Sequence, residues 1–130
     1  MQDIRIKRHV VFSLHLHLVF VTKYRKKVFS DLMIERLEYH FRRICDDFGC
    51  RLIESNGETD HVHLLIEPMP HTTHSKLVNS LKGVSSRLLR KEFPELERYF
   101  WKGGLWSPSY FIASCGEAPL SMVRKYIENQ

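Results

Sequence analysis

The chain contains the segment Thr59-Asp60-His61-Val62-His63-Leu64-Leu65-Ile66-Glu67-Pro68, in which two histidines are interleaved with aliphatic residues. Successive side chains of a strand point to opposite faces, so His61 and His63 share one face while Val62, Leu64 and Ile66 share the other. Histidines two residues apart on a strand have Cα atoms roughly 6.6 Å apart, and their imidazoles can converge on one metal ion. The segment predicts a strand with a candidate metal-binding face. Two polar side chains on a solvated sheet face are the alternative.

The rest of the chain supplies the partners of this strand. Apolar residues recur with a period of two in segments that predict strands over residues 9–22, 50–55 and 106–114. They recur at helical spacing in segments that predict helices over 31–48, 75–92 and 118–130. The pair Asn56-Gly57 is typical of a tight turn and predicts a hairpin between the second strand and the histidine strand. The order indicates a single α+β domain over residues 1–130, with a ferredoxin-like (RRM-like) antiparallel sheet, helices on one face and the histidine strand central.

Composition bears on the kind of partner, the state of the cysteines and the cellular compartment. Lys and Arg number 20 against 15 Asp and Glu, a net charge of +5 that suits a polyanionic partner but is also compatible with ordinary solubility. The three cysteines, Cys45, Cys50 and Cys115, have no Cys-x-x-Cys spacing, so we expect reduced thiols and no disulfide or zinc finger. No segment resembles a signal peptide or a spanning helix, which predicts a soluble cytoplasmic protein, associated with the nucleoid if it binds DNA.

Two segments have the composition of a nucleic-acid contact. After the first strand, Lys23, Tyr24, Arg25 and Lys26 combine cations with an aromatic ring, which can bind phosphates and stack on a base. The exposed side of the second helix is predicted to carry cations and hydroxyls, namely Lys76, Lys82, Ser85, Ser86, Arg87, Arg90 and Lys91. Solvated basic surfaces have the same composition. The aromatic segment 95–104 either fills the core or stacks on bases.

The last predicted helix brings a phenol and a carboxamide together. Tyr126 and Gln130 are four residues apart and therefore lie one above the other on the helix surface. A phenol is a weak nucleophile near neutral pH, but its attack on a phosphodiester becomes feasible when a divalent ion polarises the phosphoryl oxygens. Neutral nitrogen and amide-oxygen ligands favour Mg²⁺ or Mn²⁺ with open positions for phosphate, although two histidines also bind zinc.

Three motifs in this order resemble one known family. They are Thr22-Lys23-Tyr24-Arg25, His61-Val62-His63 and Tyr126-Ile127-Glu128-Asn129-Gln130. The chain from about His9 to Gln130 is similar to the HUH single-tyrosine transposases (TnpA type) of minimal insertion sequences that move as single-stranded DNA.

The resemblance implies a mechanism and partners. Tyr126 would attack a single-stranded DNA phosphodiester and leave a 5′-phosphotyrosine and a free 3′-OH, while His61, His63 and Gln130 hold Mg²⁺ or Mn²⁺. It also implies DNA hairpins near the element ends as the recognised substrate. A homodimer is implied as well, with composite sites that pair the histidines of one subunit with the tyrosine helix of the other.

A second pair, His15 and His17, complicates the metal assignment. If the first and third strands are adjacent and in phase, four imidazoles share one face, and the second pair could bind the metal instead. We rank His61 and His63 first because the family pattern matches them and because Asp60 could orient a ligand imidazole. His15 and His17 are then expected to line the DNA-facing surface.

Two other functions use the same residues. A catalytically silent relative would bind hairpin DNA or structured RNA through the basic and aromatic residues. A metal-dependent phosphoesterase would use His61 and His63 to activate water, with Tyr126 as a core residue.

Overall fold

The structure, a computed structural model, describes residues 5–7, 10–12, 15–100, 103–113 and 120–130. Its strands are β1 (Arg5–Lys7), β2 (Val10–Phe12), β3 (Leu16–Val21), β4 (Arg51–Glu58), β5 (His61–Glu67) and β6 (Phe111–Ala113). Its helices are α1 (Asp31–Asp47), α2 (His74–Glu92) and α3 (Leu120–Glu128), and two 3-10 turns cover Lys23–Arg25 and Pro94–Arg98. Within the described residues, no helix is long and apolar enough to cross a membrane.

The main sheet has four antiparallel strands in the order β4-β5-β3-β6. Strands β3 and β5 are adjacent in the centre, which confirms the predicted ferredoxin-like arrangement and the central position of the histidine strand. The strand predicted over 9–22 is divided: β3 belongs to the main sheet, whereas β2 pairs with β1 in a separate two-stranded sheet. The strand predicted over 106–114 is shorter, because Trp106 forms only an isolated bridge with Thr22 and β6 begins at Phe111.

The core lies between one face of the sheet and the helices α1 and α2. Alternate residues of the two central strands are buried there, namely Leu16, Leu18, Phe20, Val62, Leu64 and Ile66. The helices contribute Leu37, Phe41, Leu77, Leu81 and Leu89 to the same cluster. The apolar face of β5 is therefore the core face, as its period of two predicts, and the histidine face is turned away from α1 and α2.

Sequence signals place both long helices to within one residue. The Ser30 hydroxyl accepts a hydrogen bond from the Met33 N–H at 3.2 Å, which caps α1. Gly49 has a φ of +72°, the left-handed conformation expected just after a helix end. Helix α1 ends at Asp47 rather than residue 48, and α2 begins at His74 rather than residue 75.

The predicted hairpin turn at Asn56-Gly57 is wrong. Both residues lie inside β4, with Asn56 opposite His63 and Gly57 opposite Val62, and the turn is formed by Thr59 and Asp60. Backbone contacts from outside the hairpin fix this turn, because the Thr22 N–H donates to the Asp60 carbonyl at 2.9 Å and the Val28 N–H to the Thr59 carbonyl at 2.9 Å. Tertiary hydrogen bonds therefore override the local preference of the Asn-Gly pair.

The prediction that Ser85 and Ser86 lie on the exposed side of α2 is also wrong, because both are buried. The Ser85 hydroxyl accepts a hydrogen bond from the Trp106 indole N–H at 3.0 Å, and the Ser86 hydroxyl accepts one from the Leu105 N–H at 2.9 Å. This side of α2 is covered by the segment around Trp106.

The aromatic segment 95–104 contributes to the core through Phe100, which is buried, whereas Tyr99 is partly exposed. Trp101, Lys102, Cys115, Gly116 and Pro119 lie outside the described residues. The described part of helix α3 begins at Leu120, and Tyr126 lies within this helix as expected.

Candidate functional site

The face of the sheet opposite the core carries three imidazoles. His61 and His63 of β5 lie opposite Val21 and Val19 of β3, and His17 lies opposite Leu65 on the same face. Directly opposed residues of antiparallel strands project to the same side, so the expected phase of the two histidine-bearing strands is confirmed. His61 and His63 are half-buried, whereas His17 is only 5% exposed.

Asp60 fixes the orientation of the His61 ring through a hydrogen bond to its Nδ1 atom. The Nδ1 atom of His61 lies 2.9 Å from Asp60 Oδ1, and the Arg25 Nε–H donates to Asp60 Oδ2 at 3.3 Å. Burial alone would raise the pKa of Asp60, but the hydrogen bond with His61 and the charge of Arg25 outweigh it and hold that pKa below its ordinary value. Asp60 is therefore an anion that accepts from Nδ1–H, and the Nε2 lone pair of His61 is available to a ligand.

The Nε2 atom of His63 is buried and has no hydrogen-bond partner within the described residues. The same holds for His17 Nε2, and the rings of His17 and His63 stack with centroids 5.7 Å apart. Burial, followed by the proximity of His17, lowers the pKa of His63 and favours the neutral ring that a metal ion requires. A buried nitrogen without a partner fits a metal ligand, because a bound ion would satisfy it.

The expectation that His15 and His17 line a DNA-facing surface is wrong, because both side chains are buried. His17 packs against His63 instead of facing solvent.

The histidine pair opens on a cavity of about 640 Å³. Sheet and turn residues line one side, including Arg25, Asp60, His61 and His63, and α3 supplies the other side through Arg124, Ile127 and Glu128. Helix α3 thus lies on the histidine face, so the prediction that the helices share one face of the sheet holds for α1 and α2 only. Among the described residues, no cluster of three or more His, Cys, Asp or Glu side chains has metal-binding geometry. A metal ion bound by the pair would therefore need a ligand beyond those clusters.

Tyr126 and Gln130 lie together, but neither lines this cavity. The Ser109 hydroxyl donates to Gln130 Oε1 at 2.7 Å and lies 3.0 Å from the Tyr126 hydroxyl. Since Ser109 has one hydrogen to donate, the phenol donates to Ser109. The Tyr126 ring also contacts Phe111 at a centroid distance of 5.9 Å, and burial raises the pKa of its hydroxyl. In this chain the phenol is a neutral donor bound to Ser109.

The predicted DNA-binding residues divide into exposed and internally bound groups. Tyr24 is 80% exposed, and Lys26 and Arg87 are exposed as well. The other predicted contacts have partners inside the fold: Lys23 donates to the Gly103 carbonyl, Arg25 to Asp60, Lys82 to the Ser107 and Pro108 carbonyls, and Arg90 to Ser86.

The sequence profile of the family described as "Transposase IS200 like" matches residues 10–130. The chain belongs to this family.

Individual relatives agree with this assignment. The ISDra2 transposase TnpA of Deinococcus radiodurans is 35% identical over 123 residues, which cover 95% of this chain and 88% of the relative. The transposase for insertion sequence element IS200 of Salmonella typhimurium is 27% identical over 130 residues, or 100% of this chain and 85% of the relative.

Solved structures share the fold. A crystal structure of a Deinococcus radiodurans protein has a TM-score of 0.86 and 35% identity, with 97% of each chain covered. A REP-associated tyrosine transposase bound to a REP hairpin has a TM-score of 0.52 at 11% identity, with 95% of this chain and 68% of that chain covered, which is a likeness of fold alone.

Two residues near the site of this IS200-like transposase are not predicted from the sequence. Ser109 binds Tyr126 and Gln130, and Arg124 lines the cavity. A helical wheel places Arg124 beside Ile127 and Glu128, so the α3 face that lines the cavity could have been found from the spacing. Ser109 carries no comparable signal, because its contact with Tyr126 and Gln130 depends on how the chain returns from β6 to α3.

Proposed function

We propose that this IS200-like transposase is a metal-dependent enzyme that cleaves and rejoins single-stranded DNA through Tyr126. The observation that carries the proposal is that His61 and His63 each have an Nε2 atom available to a ligand. His61 presents Nε2 while Asp60 holds its other nitrogen, and His63 has a buried Nε2 without a hydrogen-bond partner. Two such nitrogens beside one cavity are what a divalent ion requires.

The residues that would hold the ion are His61, His63 and Gln130. Glu58 Oε2 lies 3.6 Å from His61 Nε2, beyond hydrogen-bond distance and on a largely exposed side chain, so it does not block that nitrogen. A bound Mg²⁺ or Mn²⁺ would polarise the phosphoryl oxygens of the DNA. Asp60 fixes the orientation of one ligand ring, and the packing of His17 against His63 fixes the other.

Tyr126 supplies the nucleophile. Its Oη forms a bond to phosphorus, the bond from phosphorus to the 3′-oxygen breaks, and the phenolic proton leaves for solvent while the departing 3′-oxygen takes one up. The products are a 5′-phosphotyrosine and a free 3′-OH. Because the phosphodiester energy is retained in the covalent bond, a 3′-OH can reverse the attack and join new ends without ATP.

The active site is proposed to be a composite of two subunits. In the single chain Tyr126 and Gln130 are bound to Ser109, and the cavity beside the histidines is lined by Arg124, Ile127 and Glu128 of the same helix. The catalytic arrangement therefore requires α3 to be repositioned, either within its own chain or across a homodimer. We favour the homodimer, in which α3 of each subunit serves the histidines of the other.

The substrate is proposed to be single-stranded DNA with hairpin ends, bound within the cytoplasm at the nucleoid. The exposed residues Tyr24, Lys26 and Arg87 are suited to base stacking and phosphate contact, and the net charge of +5 favours a polyanion.

The test is formation of a covalent adduct. Purified protein is incubated with labelled single-stranded DNA carrying the element ends, with Mg²⁺ or with EDTA, and resolved on a denaturing gel. We expect a metal-dependent adduct that Tyr126→Phe abolishes while hairpin binding survives, and that the matched variant Tyr39→Phe retains. Cleavage by Tyr126→Phe would identify water as the nucleophile and the protein as a phosphoesterase. Hairpin binding without any cleavage by the wild type would identify a silent binding protein.

A further inference from the structure

A chain of two side-chain contacts connects the basic turn after β3 to the histidine pair. The Arg25 Nε–H donates to Asp60 Oδ2 at 3.3 Å, and Asp60 Oδ1 lies 2.9 Å from His61 Nδ1. Asp60 is only 5% exposed, so each of its oxygens depends on the partner it has. Arg25 supplies the charge that faces this buried carboxylate, while His61 occupies the other oxygen.

The backbone of the turn is shaped for this contact. Tyr24 and Arg25 have φ values of 59° and 51°, in the left-handed region that residues other than glycine seldom adopt. The turn is closed by the Arg25 N–H, which donates to the Thr22 carbonyl at 3.0 Å. It is tied to the hairpin by the Thr22 N–H, which donates to the Asp60 carbonyl at 2.9 Å. An unfavourable conformation held at two consecutive residues indicates that the position of the Arg25 side chain matters.

We propose that Arg25 is a positioning residue for the metal centre, which acts through Asp60 to hold His61 in the tautomer and orientation that present Nε2 to the cavity. This inference rests on the proposed metal-dependent function. It reassigns a residue that the sequence predicts to be a DNA contact. The guanidinium fixes the rotamer of Asp60, and the fixed carboxylate accepts Nδ1–H, so the lone pair stays on Nε2.

Neighbouring residues give matched controls. Lys26 belongs to the same turn but its side chain is exposed, so it is the residue expected to contact DNA phosphates. Tyr24 shares the left-handed backbone and is exposed, so its replacement perturbs the turn without removing the guanidinium. Asn is the replacement of choice at positions 24 and 25, because it tolerates the left-handed conformation better than other non-glycine residues.

The test measures the histidine tautomer and the metal separately from catalysis. Two-bond ¹H–¹⁵N spectra of metal-free protein at about pH 8, where imidazoles are largely neutral, report the tautomer of His61, assigned with His61→Gln. We expect the Nδ1–H form in the wild type and in Tyr24→Asn, and a mixture of tautomers in Arg25→Asn, with partial recovery in Arg25→Lys. Thermal unfolding of each variant shows that the fold is retained.

Calorimetry with Mn²⁺ alone gives the second readout. Arg25→Asn should weaken Mn²⁺ binding by roughly tenfold, the lower end of the effect of losing the partner of a metal-bound histidine, because Asp60 remains but is no longer held by the guanidinium. Its binding to hairpin DNA in EDTA should match the wild type, whereas Lys26→Ala should weaken DNA binding and leave Mn²⁺ affinity unchanged. An unchanged tautomer in Arg25→Asn, or a loss of DNA binding in EDTA as large as that of Lys26→Ala, would overturn the proposal. A wild type that binds no Mn²⁺ would refute the proposed function, and the tautomer spectra would still decide whether Arg25 orients His61.

Discussion

Lys82 illustrates how a single residue on a helix surface acquires its role from a segment far along the chain. Its ammonium donates to the Ser107 carbonyl at 2.7 Å and the Pro108 carbonyl at 3.1 Å, and it lies 5.4 Å from the centroid of the Tyr110 ring. Burial lowers the pKa of this lysine. Lys82 therefore anchors the segment before β6 and differs from Arg87, which is exposed on the same helix.

Replacement of Lys82 by Met should lower the free energy of unfolding by about 1–2 kcal/mol, since two carbonyls lose a charged donor. Urea denaturation measures the change. The matched variant Arg87→Met should leave stability within about 0.5 kcal/mol of the wild type. It should weaken DNA binding and reduce the slope of log affinity against log salt concentration by about 1. Equal stability of the two variants would contradict the anchoring role of Lys82.

The sequence predicts the shared face of His61 and His63 because that face depends only on the period of a strand. It indicates Asp60 as a possible partner of a ligand imidazole because Asp60 is adjacent to His61. The contact between Arg25 and Asp60 joins residues of two different loops, so no local pattern contains it. The same limit explains why Ser85 and Ser86 are buried while the helix pattern places them in solvent.

At the scale of elements, the hairpin of β4 and β5 shows why a turn signal can mislead. Gly57 lies within β4, and a Cβ atom there would meet Ile34 Cδ1 of α1 at 2.6 Å and the His61 carbonyl oxygen at 3.0 Å. The glycine allows helix and sheet to approach closely rather than shaping a turn. Sequence alone gives the existence and direction of the two strands, but the position of the turn depends on tertiary hydrogen bonds to Thr59 and Asp60.

Substitution Gly57→Ala should destabilise the protein by about 1–3 kcal/mol through overpacking against Ile34. Ile34→Val removes the clashing methyl group, so the double variant should recover part of this loss in a double-mutant cycle measured by urea unfolding. Recovery should be incomplete, because the contact with the His61 carbonyl is unchanged. Strict additivity of the two substitutions would show that Ile34 does not limit the space at Gly57.

At the scale of the whole molecule, the order of elements predicts the two central strands of the sheet. The split βαβ arrangement makes β3 and β5 neighbours, and the structure has them adjacent and antiparallel. The position of α3 relative to the histidines could not be predicted from the order of elements. The helical spacing brings Tyr126 and Gln130 together, but the rotation of α3 on the sheet depends on its contacts with Ser109 and Phe111.

A composite site predicts complementation between two inactive proteins. Tyr126→Phe lacks the nucleophile and His61→Ala lacks a ligand, so neither should form an adduct alone. When equal amounts are mixed and allowed to exchange subunits, about a quarter of the sites should combine intact histidines with an intact tyrosine helix. The adduct is measured with labelled DNA on a denaturing gel. Failure of the exchanged mixture, with an active wild type, would place each tyrosine with the histidines of its own chain.

The hydroxyl of Ser109 is the common anchor of two groups that the proposed chemistry needs elsewhere. Because the phenol of Tyr126 donates to the same hydroxyl that donates to the amide oxygen of Gln130, the two hydrogen bonds form one chain and strengthen each other. In the proposed mechanism both contacts with Ser109 must break before the phenol can attack and the amide can bind the metal, so the two events begin from the same restrained state. Such coupling would disfavour strand cleavage by a subunit whose metal site is incomplete.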